Sequence, residues 1–130
     1  MSSKKEQLKN RIINDLINRL PINPNRVTQS HDDNYHKIFS VLRDEYGIND
    51  STTLGNFYNL YLSKVLNLPL LGSKIELVFT DDPYTKLKPG DTGVVTKYNK
   101  TYWGFQLGVN WDNGSSLQLI PNIDKWKVLS

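Results

Sequence analysis

The chain has 130 residues, 16 basic against 13 acidic, no cysteine, and 38% hydrophobic residues. That length suits one compact domain or two very small ones, and the lack of cysteine excludes a disulfide framework, a zinc ribbon and a thiol nucleophile, pointing to a reduced, cytoplasmic setting. No apolar run approaches the ~20 residues of a membrane span, so no membrane partner is expected, and a net charge of +3 is too small by itself to mark a nucleic-acid binder.

The sequence changes character near residue 70. Up to that point apolar residues recur at helical spacing; beyond it glycine, proline and alternation take over. Basic and acidic residues balance in both parts, 9 against 7 in residues 1–70 and 7 against 6 in residues 71–130, so neither part is a basic arm or an acidic tail. A first helix is expected over residues 4–20. Ser3 and Glu6 have the spacing of a capping box, and Leu8, Ile12, Ile13, Leu16, Ile17 and Leu20 form an apolar stripe that Pro21 and Pro24 end. Residues 21–31 read as an irregular connector. A second helix is expected over residues 33–46, with Tyr35, Ile38, Phe39, Leu42 and Tyr46 on one face and Gly47 as a left-handed cap. Asp50 or Ser51 caps a third, which carries Leu54, Phe57, Tyr58, Tyr61, Leu62 and Val65 and stops at Asn67 and Pro69.

From Ser73 the pattern is that of strands, over residues 74–79, 92–98, 102–111, 115–120 and 126–129. In the third, Trp103, Phe105, Leu107, Val109 and Trp111 take every odd position, a period of two that marks a half-buried strand. Gly104 and Gly108 on the other face suit bending or close backbone approach, and Asp112-Asn113-Gly114 suits a tight hairpin turn. Five short strands in so few residues predict a small barrel, closed to avoid bare edges.

The motifs Asp81-Asp82-Pro83-Tyr84, Leu87, Pro89-Gly90-Asp91, Gly93, Trp111-Asp112-Asn113-Gly114, Leu117, Leu119-Ile120-Pro121 and Asp124 follow one another in a familiar order and approximate spacing. On them, residues 72–129 resemble a family of small uncharacterised domains found in bacterial, phage and mobile-element proteins. The resemblance implies an SH3-like barrel and no established activity. It departs in residues 98–108, where this chain carries a longer aromatic hairpin, and does not reach residues 1–71. Residues 88–95 (Lys-Pro-Gly-Asp-Thr-Gly-Val-Val) are similar to the turn of the small barrels called KOW domains, where glycines let the chain enter a strand whose flanks contact RNA or protein. The expected fold class is α+β: an N-terminal three-helix segment (residues 1–71) followed by a small five-stranded SH3-like β-barrel (residues 72–130).

Neither catalysis nor a cofactor nor a metal is expected. His31 and His36 are five residues apart, about 140° around a helix, and are poor joint metal ligands. Asp81 and Asp82 could hold a cation with Asp91 or Asp124, but Asp before Pro reads first as a turn former. Gly90, Gly93 and Gly114 lack the spacing and following helix of a phosphate loop.

Non-catalytic binding is expected instead, with nucleic acid as the first choice of ligand. Small barrels stack bases on exposed aromatics beside cations. The hairpin offers Lys97, Tyr98, Lys100, Tyr102 and Trp103, and Lys86 and Lys88 lie in the preceding loop. Tyr98 and Tyr102 are the aromatics expected to be exposed, because Trp103, Trp111 and Trp126 are wanted by the core of so small a barrel. Helix two, residues 47–51 and helix three have helix-turn-helix proportions, yet the polar face of Ser51, Thr52, Thr53, Asn56, Asn59 and Ser63 carries one base, Lys64. A helical hairpin packed on the barrel is the better reading. The alternative function is a protein-interaction adaptor or inhibitor, of phage or mobile-element origin if the resemblance extends so far, that binds a partner or forms a homodimer through Phe57, Tyr58 and Tyr61.

Overall fold

The computed structural model of the chain describes residues 3–23, 27–101 and 104–129, with the side chains of residues 27–32 outside that description. Among the described residues three helices precede four strands of one antiparallel sheet, an α+β architecture. The chain divides into two compact units, Met1–Asn67 and Leu68–Ser130.

In the helical unit, α1 (Lys4–Arg19) starts where Ser3 Oγ accepts the Glu6 N–H at 3.1 Å. It buries Ile12, Ile13 and Leu16, whereas Leu8, on the same expected stripe, is 52% exposed. α2 (Val27–Asp44) begins six residues before the expected start, inside the stretch read as a connector. After Pro24 no Gly or Pro intervenes, and helix propagation costs little once started, so residues such as Val27, Thr28 and Ser30 do not stop it. Gly47, at φ 67°, ends this segment with its N–H on the Arg43 carbonyl. α3 (Ser51–Leu66) is capped by Asp50, whose carboxylate accepts both the N–H and the hydroxyl of Thr53 at 2.8 Å. The Thr53 N–H holds that carboxyl below the usual aspartate range.

Side chains also tie the helices to one another. The Tyr61 hydroxyl donates to the Leu20 carbonyl, and Asn34 Nδ2 donates to the carbonyls of Leu20 and Pro21 at 3.2 Å. These bonds satisfy acceptors that the end of α1 leaves open. Arg19 grips Glu45 with two bonds of 2.8 and 2.7 Å and reaches Asp15 at 3.2 Å, while the Tyr46 hydroxyl donates to Asp15 at 2.7 Å. The Tyr46 bond, then Arg19, lowers the Asp15 pKa, Arg19 lowers that of Glu45, and both carboxylates raise the arginine. Tyr46 is pushed up by its bond to Asp15, and Tyr61 by burial.

The sheet has the order β3-β2-β1-β4, with β1 (Lys74–Phe79), β2 (Thr92–Thr101), β3 (Gly104–Trp111) and β4 (Lys125–Val128). Ile75, Leu77, Leu87, Val95, Leu107, Trp111 and Leu119 form its core. The alternation of β3 is met at Phe105, Leu107 and Trp111, all buried, with Val109 half-buried between them. At Gly93 an added Cβ would lie 2.7 Å from Val109 Cγ1 and 2.8 Å from the Asn110 carbonyl, so only glycine lets β2 and β3 approach there.

Five strands and a closed barrel were expected; among the described residues the sheet has four strands and is not closed, with β3 and β4 at its two edges. Residues 115–120 touch β3 through one bridge, in which Leu107 and Leu119 exchange both backbone bonds. The reason is local. Asn113 Oδ1 takes the Ser115 N–H, Ser115 Oγ takes the Leu117 N–H, Asp124 Oδ2 takes the Ile120 N–H, and Trp111 Nε1 donates to the Leu117 carbonyl. Backbone groups that a ladder would need are already paired with side chains.

Candidate binding groove

Strand β2 changes register once: Val95 faces Val109 and Lys97 faces Gly108, so Thr96 is an extra residue. Without this bulge Lys97 would follow Gly93 and Val95 onto the core side. With it, Tyr98 and Lys100 stand opposite Leu107 and Phe105, while Lys97 and Asn99 stand opposite Gly108 and Gln106 on the outer side. Tyr98 packs half-buried against the core and its hydroxyl donates to the Pro69 carbonyl at 2.6 Å. The expectation of an exposed Tyr98 flanked by cations is thereby corrected: its ring and hydroxyl are used inside the unit, and Lys97 and Lys100 alternate onto opposite faces. Tyr102 and Trp103 lie outside the described residues.

Lys86 belongs to a different assembly. The β1–β2 loop and the segment after β3 enclose a groove of about 850 Å³. Asp82, Tyr84, Thr85 and Lys86 line one side, residues 113–118 the other, and Gln106 comes from β3. Asn99, across the sheet from Gln106, donates to Gln118 Oε1, which carries the polar outer face from the groove toward Lys97. The stem of Lys97 lies over Gly108, where a Cβ would sit 2.7 Å from its Cγ. Lys88 is exposed in the same loop as Lys86. Tyr84, which sequence reasoning treated only as part of a turn motif, is 93% exposed on the groove wall. A tyrosine following Asp-Pro was the available signal.

The groove walls are held by bonds within the loops and between them. Asp82 Oδ1 accepts the Tyr84 N–H at 2.8 Å, Thr85 Oγ1 the Leu87 N–H at 3.1 Å, and Asp91 Oδ2 the Lys88 N–H at 2.8 Å. Asp112 accepts from Thr92 Oγ1, and Asn113 reaches Asp91 at 3.5 Å. Asp82, Asp91 and Asp124 are thus turn acceptors. Among the described residues, no three His, Cys, Asp or Glu side chains gather where they could hold a metal. His36 is exposed with its ring edge-on to Tyr35, and His31 lies outside the described side chains.

The helical candidates are mostly interior. Phe57 and Tyr61 are buried, so they do not form the exposed aromatic patch expected, and Tyr58 is half-buried against Tyr35 and Phe39. Ser63, on the expected polar reading face of α3, is buried too. Among the described residues no helix is long and apolar enough to cross a membrane.

These features define a helical unit and an open-sheet unit that carries a polar groove. Residues 67–129 match the model of a family described as a domain of unknown function (DUF4314). The C-terminal part of the chain is therefore similar to an uncharacterised domain, over a stretch that begins five residues before the expected 72. Comparison with curated proteins and with solved structures gives no match.

Proposed function

We propose that residues 68–130 are a non-catalytic binding domain with the plan of a small SH3-like barrel, and that its ligand is single-stranded nucleic acid laid along the groove. The observation that carries this reading is that the exposed Tyr84 and Lys86 line one groove together with the amides of Gln106, Asn113 and Gln118. An aromatic face stacks on any base, a lysine meets a phosphate, and side-chain amides bond to base edges that only an unpaired strand leaves free. Lys88 and Lys97, both exposed, are further cations of the same unit. The barrel plan is supported by residues 115–120, which bond to the outer edge of β3 and contribute Leu119 to the core.

The test is anisotropy of a labelled oligouridylate of about 10 nucleotides, a length within the footprint of small barrels. Binding is expected in low salt and weakens steeply as salt rises. Tyr84→Ala is expected to cost about 1–3 kcal/mol of affinity, and Lys86→Ala to lower the salt slope by about 1. Tyr98→Phe leaves binding unchanged, since that hydroxyl is bonded to Pro69. Absence of binding in low salt, or a Tyr84→Ala variant that binds like the parent, overturns the reading.

A further inference from the structure

The helical unit contains a second groove, of about 400 Å³, within the ~300–1,000 Å³ of ligand-binding clefts. Leu8 and Ile12 of α1, Ile48 before α3, and Phe57 and Leu60 of α3 give it an apolar floor. Leu8, 52% exposed, is an apolar side chain at helical spacing from Ile12 that the unit's own core does not cover. Lys5 and Lys9 line the same groove, no Asp or Glu does, and neither lysine has an ion-pair partner among the described residues. The two cations are one helical turn apart on α1, and Thr53 and Asn56 line the α3 side.

We infer that this groove is a docking site for an acidic amphipathic helix of a partner protein. The apolar floor accepts anchors at helical spacing, as in other helix-in-groove contacts. The pair of lysines selects an occupant with carboxylates one turn apart beside those anchors, and the near absence of opposing charge makes a basic helix a poor fit. A nucleic acid would match the lysines and waste the apolar floor. This site is independent of the groove around Tyr84.

The full-length chain is titrated into a labelled peptide of about 15 residues, with leucines at helical spacing flanked by glutamates, and into the same peptide with lysines in place of the glutamates. The acidic peptide is expected to bind and the basic one not. Leu8→Asp, at an exposed position, and the double variant Lys5→Glu/Lys9→Glu are each expected to weaken binding about tenfold while the helical circular dichroism is kept. The double variant is expected to gain affinity for the basic peptide. Equal binding of both peptides, binding that survives Leu8→Asp, or none at about 1 mM peptide overturns the proposal. A loss of oligouridylate binding in the double variant also overturns it, because the lysines would then serve a nucleic acid. Unchanged oligouridylate binding keeps the two readings separable.

Discussion

The helical and sheet units use their polar side chains over different ranges. In the helical unit, apart from the helix caps and the Arg19–Asp15 pair, the bonds join residues far apart in sequence: Arg19 to Glu45, Tyr46 to Asp15, Tyr61 to Leu20. They fix how whole helices cross. In the sheet unit most side-chain bonds to backbone N–H groups reach two to four residues, as from Asp82 to Tyr84, Asn113 to Ser115 and Asp124 to Ile120. They shape loops that no ladder organises. A loop whose N–H groups are already paired has little freedom left to lose, so these loops are held in place without a ladder.

The comparison can be broken by removing one bond of each kind. Asp124 is 3% exposed; its Oδ2 holds the Ile120 N–H and its Oδ1 has no partner among the described residues. Asp124→Ala strands a buried N–H and is expected to cost about 1–3 kcal/mol in a urea melt followed by tryptophan fluorescence. Asp124→Asn retains an acceptor and costs less. Tyr61→Phe removes a long-range bond but leaves the Leu20 carbonyl accepting from Asn34. Its expected cost is therefore smaller, about 0.5–1.5 kcal/mol, read from the helical circular dichroism. If Tyr61→Phe proves costlier than Asp124→Ala, local bonds are not what holds the sheet unit's loops.

The smallest effect is expected from acid. Asp15 and Glu45 both have pKa values lowered by their partners in the folded chain. They add stability that is fully present above the ordinary carboxylate range, near pH 4, and is lost as pH falls through their lowered values. The groups lie at the surface, so salt screens the effect. Glu45→Gln is expected to lose less helical signal than the parent on acidification, and the difference to shrink in high salt.

Much of the helical unit could be read in advance because its signals are local. Ser3, Asp50, Gly47 and Asn67 act on the turns they border, and the stripe of Leu54, Phe57, Tyr61 and Leu62 is buried along α3 as its spacing requires. Where α2 begins was harder, since weak helix formers are overruled once a helix is growing. In the sheet unit the bulge at Thr96 was invisible: nothing in Val95-Thr96-Lys97 announces an extra residue, yet it turned Tyr98 inward and Lys97 outward. The same limit hid Tyr84. Its place on a groove depends on residues 113–118, far along the chain, lining the same groove.

The amino-acid order by itself thus determined the helix-then-sheet division, the helix caps and the alternation of β3, because each follows from neighbours a few bonds away. Tertiary structure alone decided the open sheet, the inward Tyr98 and the groove that pairs Tyr84 with Gln106 and Gln118. Those depend on which backbone groups win the competition for each hydrogen bond, and that competition is settled between segments distant in sequence.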